Sequence, residues 1–144
     1  AIARQDVFVT ALDSTAKKMA FVADCAKTLE VKNIKTLSAR AEDKKDLFNT
    51  FDVVTARAVS SLQILLELAM PFLKVGGIFV AYKTDEGELA LCKNAEKVLC
   101  AKHIKTKSLT LANGEKRALL VFEKTAPTPK QYPRQYGTIK KKPL

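Results

Sequence analysis

Residues 104–123 have the sequence IKTKSLTLANGEKRALLVFE, in which two strand-like segments flank the turn pair Asn113-Gly114. An Asn-Gly pair between apolar segments is typical of a β-hairpin, so strands are expected at residues 104–111 and 118–123. No helical pattern separates these two strands, and they must therefore be antiparallel. This hairpin predicts how the fold ends: an α/β sheet with an antiparallel edge.

Strand and helix patterns alternate in the residues before the hairpin, and this alternation predicts a parallel sheet covered by helices. The apolar run at residues 7–12 is typical of a strand buried on both faces. Ser14 is the expected N-cap of the first helix, and Gly76-Gly77 are expected to end the second. The expected strands are residues 7–12, 34–39, 51–56 and 78–82, and the expected helices are residues 14–30, 62–73 and 86–99.

The net charge of +10 is concentrated near the end of the chain. From Lys124 onward there are six basic and no acidic residues, together with four prolines and no apolar periodicity. We therefore divide the chain into a domain at residues 1–124 and an extended basic arm at residues 125–144. The arm suits a phosphate backbone, because neutralised phosphates release counterions, although a solvated tail has the same composition. The candidate RNA contacts are Lys130, Arg134, Lys140, Lys141 and Lys142.

Cysteine usage and hydropathy exclude several classes of protein. The three cysteines are odd in number and form no CxxC pair, and the single histidine has no metal-like spacing to them, so neither a disulfide framework nor a metal site is expected. The chain has no apolar run long enough for a membrane span. These features predict reduced thiols in the cytoplasm, or in an organelle matrix or stroma. We also expect a monomer.

Ligands of an open parallel sheet bind beyond the carboxyl ends of its strands, where few polar residues occur here. Asp13 follows the first strand and is a candidate acceptor for two ribose hydroxyls. Ala41 and Glu42 follow the second strand and could contact an adenine edge through a backbone amide and a carboxylate. Arg57 follows the third strand and could pair with a carboxylate or an RNA phosphate. The structural alternatives are a helix cap for Asp13, a solvated loop for Ala41 and Glu42, and a surface ion pair for Arg57.

Several segments together carry a family resemblance that extends over essentially the whole chain. The most specific are the Thr55-Ala56-Arg57-Ala58 run and the tail of prolines and basic residues. The chain resembles the small-subunit ribosomal RNA methyltransferase G family, also called glucose-inhibited division protein B. The matching segments are Ala1-Ile2-Ala3-Arg4, Leu12-Asp13-Ser14 with Lys17-Lys18, Arg40-Ala41-Glu42-Asp43, residues 51–59, Thr128-Pro129-Lys130, Tyr132-Pro133-Arg134, Gly137-Thr138 and Lys142-Pro143-Leu144.

The resemblance implies a class I, Rossmann-like methyltransferase sheet, for which an antiparallel last strand is usual. It implies methyl transfer from S-adenosylmethionine to guanine N7 in 16S-type ribosomal RNA, with that RNA or the small ribosomal subunit as partner. The first strand and the family's glycine-rich loop would precede Ala1, so we expect this fragment alone to be inactive. The implied cofactor contacts are Asp13, Ser14, Thr15, Ala41, Glu42 and Arg57.

The expected chemistry needs no dedicated acid or base, because guanine N7 carries a lone pair and no proton. Amine methylation typically uses a motif like Asn-Pro-Pro-Tyr, whereas this chain has Arg57-Ala58-Val59 at that place. Methylation of pyrimidine C5 requires a cysteine nucleophile near proline, and no cysteine has that setting. Two other hypotheses are a non-catalytic RNA-binding module and a nicotinamide-dependent oxidoreductase, the second of which the terminal hairpin disfavours.

Overall fold

A computed structural model describes residues 1–57 and 59–144 of the 144-residue chain. The chain divides into two compact units, Ala1–Lys44 and Lys45–Leu144. The boundary therefore differs from the predicted one, since residues 125–144 belong to the same compact unit as residues 45–124. Within the described residues, no helix is both long enough and apolar enough to cross a membrane.

The first unit is a parallel strand pair joined by a helix. It consists of β1 (Val9–Asp13), α1 (Ala16–Thr28), β2 (Ile34–Ser38) and a 3-10 helix at Ala41–Asp43. The expected elements are confirmed, but Thr15 rather than Ser14 is the N-cap residue of α1. The prediction of a strand buried on both faces is wrong, because β1 is only half-buried and Phe8 is 87% exposed.

The second unit contains a four-stranded mixed sheet in the order β3-β4-β6-β5. Strands β3 and β4 are parallel, and β6 is antiparallel to both β4 and β5. The hairpin of β5 and β6 confirms the prediction, and Gly114 adopts the positive φ of 82° that its turn requires. The elements are β3 (Phe51–Arg57), α2 (Leu62–Ala69), β4 (Leu73–Lys83), α3 (Lys93–Leu99), β5 (Ala101–Thr110), β6 (Lys116–Lys124) and α4 (Tyr136–Lys141), with 3-10 helices at Lys45–Leu47, Met70–Phe72 and Gly87–Cys92.

The core of the second unit lies between helices α2 and α3 and one face of the sheet. Leu62 and Leu66 of α2 are fully buried, as are Phe79 of β4 and Leu120 and Phe122 of β6. Seven of the eight residues of α2 are buried, which explains why its apolar residues extend around most of the helix. This packing fixes α2 on the sheet.

The Gly76-Gly77 pair does not end a helix, as was predicted, but lies inside β4. The helical segment already ends at the 3-10 turn Met70–Phe72, which contains Pro71. Phe51 of β3 pairs with Leu73 of β4, and the next pair is Val53 with Ile78. Two residues along β3 thus correspond to five residues along β4. The two glycines allow this irregularity, since Gly76 has a φ of 81°.

The prediction of an extended arm without packed elements is also wrong. Residues 136–141 form α4, and the Ile139 side chain is fully buried. Tyr132 and Leu144 pack against the core of the second unit. Sequence periodicity missed this segment because its single buried aliphatic residue lies on a helix of only six residues.

Candidate functional site

The carboxyl ends of β1 and β2 coincide, because the two strands are parallel and Asp13 pairs with Ser38 in their register. The backbone amide of Ala39 donates to the Asp13 carbonyl oxygen at 3.1 Å, which fixes the start of the following loop. This loop leads to Ala41 and Glu42. The structure therefore brings the predicted site residues of the first unit to one edge of the β1–β2 pair.

Asp13 presents an ionised carboxylate at this edge. Its Oδ1 accepts the Thr15 amide at 2.8 Å, and its Oδ2 lies 3.1 Å from the Lys18 Nζ. The Thr15 amide, followed by the Lys18 ammonium, lowers the pKa of Asp13. A carboxylate has about four acceptor positions, so about two remain for other donors. With its side chain 32% exposed, Asp13 can accept hydrogen bonds from ligand hydroxyl groups.

Ser14 and Thr15 are exposed beside Asp13, at the start of α1. The Thr15 side chain makes no capping hydrogen bond with the helix, and its hydroxyl, like its amide, interacts with the Asp13 carboxylate and lowers the pKa of Asp13. These positions suit polar contacts to a bound molecule, and their role as cofactor contacts stays a prediction.

Ala41 and Glu42 begin a 3-10 helix, and the first amides of such a helix have no acceptor within it. The Glu42 side chain is buried at 5% exposure, and its Oε1 lies 3.7 Å from the Arg40 Nη1. This arrangement offers backbone amides to a ligand more readily than the Glu42 carboxylate. Contact with an adenine edge stays a prediction for both residues.

Arg57 ends β3 in the second unit, opposite Tyr82 of β4, and is exposed. Arg57 lies at the carboxyl end of a parallel strand, which is where ligands of open parallel sheets bind. Ala58, the middle residue of the Arg57-Ala58-Val59 segment, lies outside the described residues.

Sequence reasoning missed a clamp formed by Lys83 and Glu88 at the same carboxyl edge. Lys83 ends β4, and its Nζ lies 2.7 Å from Glu88 Oε1 and donates to the Ser60 carbonyl oxygen at 2.8 Å. Glu88 Oε2 accepts the Leu62 amide at the start of α2. The clamp thus fixes two backbone groups in the segment that follows Arg57. Lys83 could have been predicted from its position at the carboxyl end of a strand. No local sequence feature predicts the role of Glu88.

The predicted RNA contacts differ in their surroundings. Lys130, Lys140, Lys141 and Lys142 are exposed. Arg134 instead donates from Nε and Nη2 to the fully buried Glu67 carboxylate, at 2.8 and 2.6 Å. This bidentate pairing raises the pKa of Arg134. We therefore correct its assignment: the guanidinium is committed to an internal partner and is not a surface cation for RNA.

The structure also bears on cysteine and metal chemistry. Cys92 is fully buried, and burial raises the pKa of its thiol to about 12, so it is a poor nucleophile. Across residues 1–57 and 59–144, no group of three or more His, Cys, Asp or Glu side chains is arranged to hold a metal ion.

Sequence comparison places most of the chain beside a known family. The sequence profile described as GidB, rRNA small subunit methyltransferase G, matches residues 1–120. Ribosomal RNA small subunit methyltransferase G from Streptococcus pyogenes serotype M3 is 43% identical over 141 residues, which cover 94% of this chain. The protein of that name from serotype M49 has the same identity and coverage. In both comparisons the match covers 60% of the length of the relative.

Solved structures with little sequence identity share the fold. TYW2 from M. jannaschii in complex with AdoMet has a TM-score of 0.64 at 18% identity, covering 81% of this chain and 58% of TYW2. An rRNA methylase from Streptococcus thermophilus has a TM-score of 0.58 at 15% identity, covering 83% of this chain and 74% of the methylase. These similarities confirm the class I methyltransferase fold that the family resemblance implied.

Proposed function

The chain belongs to the rRNA small subunit methyltransferase G family, and on this premise we propose that the complete protein methylates small-subunit ribosomal RNA at N7 of a guanine. The proposed methyl donor is S-adenosylmethionine. The observation that carries the proposal is the ionised Asp13 carboxylate, held by the Thr15 amide at the carboxyl edge of β1 and β2. Because ribosomal subunits are the proposed substrate, we expect the protein to act in the cytoplasm or in an organelle matrix.

The residues at this edge fit the donor group by group. Asp13 has acceptor positions for the two ribose hydroxyls, and the first amides of the 3-10 helix at Ala41–Asp43 suit the acceptor nitrogens of adenine. The hydroxyls of Ser14 and Thr15 add polar contacts beside the ribose. When bound, S-adenosylmethionine supplies an electrophilic methyl group on its sulfonium.

Arg57, an exposed cation at the end of β3, is the proposed partner of the carboxylate of the donor's methionine moiety. A guanidinium forms two parallel hydrogen bonds with a carboxylate, which fixes orientation as well as position. The Lys83–Glu88 clamp supports the segment after Arg57 by holding the Ser60 carbonyl and the Leu62 amide. These residues bind and orient the reactants and need not transfer a proton.

Guanine N7 is the proposed acceptor because it attacks without losing a proton. The residues after β3 provide no Asn-Pro-Pro-Tyr motif for an exocyclic amine, and the buried thiol of Cys92 is unsuited to covalent attack on a pyrimidine. Positioning the lone pair in line with the methyl group can supply most of the rate acceleration. This chemistry agrees with a site composed of binding groups.

The decisive experiment incubates the complete protein with S-adenosylmethionine and small-subunit ribosomal RNA, and then cleaves the RNA with borohydride and aniline at N7-methylguanosine. We expect one new cleavage site, which should be absent from the RNA of cells lacking the gene. Methylation at another atom would refute the N7 assignment. RNA binding without any cofactor binding or methyl transfer would favour the non-catalytic RNA-binding module instead.

A further inference from the structure

The last residues of the chain form a folded segment, here called the C-terminal clasp (residues 132–144), which lies along α2. Its first anchor is Arg134, whose backbone amide donates to Glu67 Oε1 at 2.9 Å and whose side chain donates to both Glu67 oxygens. Its second anchor is Gln63, whose Nε2 donates to the Leu144 carbonyl oxygen. Gln63 and Glu67 are four residues apart and therefore lie on one face of α2, about 6 Å apart along its axis.

From Glu67 to Gln63, the clasp runs toward the start of α2, which lies at the carboxyl edge of the second unit's sheet. Helix α2 follows the carboxyl end of β3, and the Leu62 amide at its start is bonded to Glu88. Glu88 pairs with Lys83 at the carboxyl end of β4. Because Gln63 is the next residue of α2, the end of the clasp lies at the same edge as Arg57.

The clasp presents three adjacent cations next to its second anchor. Lys140, Lys141 and Lys142 are exposed, and residues 124–144 include no acidic residue. Among the described residues, no carboxylate pairs with any of the three ammonium groups. Arg134 Nη2 also donates to the Lys142 carbonyl oxygen at 3.1 Å, so the Glu67 anchor holds the backbone that carries these charges.

We propose that the C-terminal clasp binds the RNA phosphate backbone at a fixed place beside the carboxyl edge of the second unit's sheet, and that Arg134 is the residue that positions it. The inference rests on the proposed function for its RNA substrate. A flexible basic tail would raise affinity for any RNA, whereas a fixed clasp places phosphates at a set distance from the Arg57 edge. The buried Ile139 of α4 supports this rigidity.

Charge removal tests the contact itself. In the complete protein, the variant K140Q/K141Q/K142Q should raise KM for small-subunit RNA roughly 10- to 100-fold at 0.1 M salt while leaving kcat and S-adenosylmethionine affinity unchanged. The magnitude of the slope of log affinity against log salt should fall by about 2, since each single-strand phosphate contact contributes about 0.7. The control K17Q/K27Q/K32Q removes the same charge from exposed positions of the first unit. Equal effects of the two variants, or no effect of the first, would overturn the proposal.

Release of the anchors tests the positioning role, because all three lysines remain. R134Q should raise KM for RNA and lower the salt slope, with unchanged affinity for S-adenosylmethionine. If R134Q fails to fold, Q63L releases only the Leu144 end, and E67Q/R134Q leaves no buried charge unpaired. A lowered melting temperature with KM and salt slope unchanged would show that Arg134 is only structural.

Failure of the wild type to methylate RNA would refute the proposed function, whereas normal wild-type methylation with unaffected clasp variants would refute only this inference.

Discussion

At the scale of single residues, Asp13 provides the most direct test of the cofactor site. Asp13→Asn keeps an oxygen for the Thr15 amide but removes the charge offered to ribose hydroxyls. Hydrogen bonds to charged groups contribute about 1.5–3 kcal/mol, so we expect S-adenosylmethionine affinity to fall roughly 10- to 100-fold in calorimetry on the complete protein. Asp52→Asn is the control, since Asp52 is 81% exposed and pairs with Lys74 on the surface. Unchanged affinity in Asp13→Asn would remove Asp13 from the site.

Lys124 is a second residue whose role can be measured. Its side chain is fully buried, and its Nζ donates to Asn49 Oδ1 at 2.8 Å and to the Leu73 carbonyl oxygen at 2.7 Å. Both of these acceptors are neutral, and burial lowers the pKa of Lys124. The folded state therefore binds fewer protons than the unfolded state between the two pKa values, so this group adds stability as pH rises through its lowered pKa.

Lys124→Met should destabilise the protein by about 1–3 kcal/mol at pH 7, because the buried Leu73 carbonyl oxygen loses its donor. The difference from wild type should be larger at pH 10, where the wild-type amine is neutral more often and still donates. Urea unfolding at both pH values measures this difference. Lys74→Met, at a half-exposed position, should change stability by less than about 0.5 kcal/mol. A difference that shrinks at alkaline pH would contradict the assigned role of the buried ammonium.

At the scale of elements, the irregular pairing of β3 with β4 depends on Gly77. A Cβ at this position would lie 2.9 Å from the Lys74 carbonyl oxygen and 3.1 Å from that of Asp52. Because both neighbours are backbone atoms, Gly77→Ala should cost about 1–3 kcal/mol of unfolding free energy in urea denaturation. Gly137→Ala is the matched control: its Cβ would have no neighbour within 4 Å, and in α4 it should stabilise by about 0.5–1 kcal/mol. Equal effects of the two substitutions would show that the backbone shifts away from a Cβ at position 77 at little cost in stability.

The elements also show which features local sequence could predict. Periodicity and turn chemistry located α1, β2 and the hairpin of β5 and β6, because their signals lie within a few residues. The strand-end rule located Asp13 and Arg57 for the same reason. It did not reveal Glu67 with Arg134, or Lys83 with Glu88 and Leu62, since these groups meet only after tertiary packing. Glu67 is an acidic residue within an apolar helix, and its partner lies 67 residues further along the chain.

At the scale of the whole molecule, the two units differ in how completely each buries its own apolar residues. Helix α1 has no buried residue, and an apolar groove in the first unit is lined by residues that include Val22, Cys25 and Leu29. The second unit has a continuous core. We therefore expect amide hydrogen exchange in the 144-residue chain to be slowest in β4 and β6 and faster in β1, β2 and α1. Mass spectrometry with peptide resolution measures these rates, and equal protection in both units would contradict this difference.

The folded C-terminal clasp has a thermodynamic consequence for RNA association. Disordered basic tails lose conformational entropy when they become ordered on a nucleic acid, and this loss opposes binding. In the clasp, that loss has already occurred during folding through the Glu67–Arg134 and Gln63–Leu144 contacts. Binding of RNA there should consequently show only a small heat-capacity change, and most of its favourable free energy should come from counterions returned to solution.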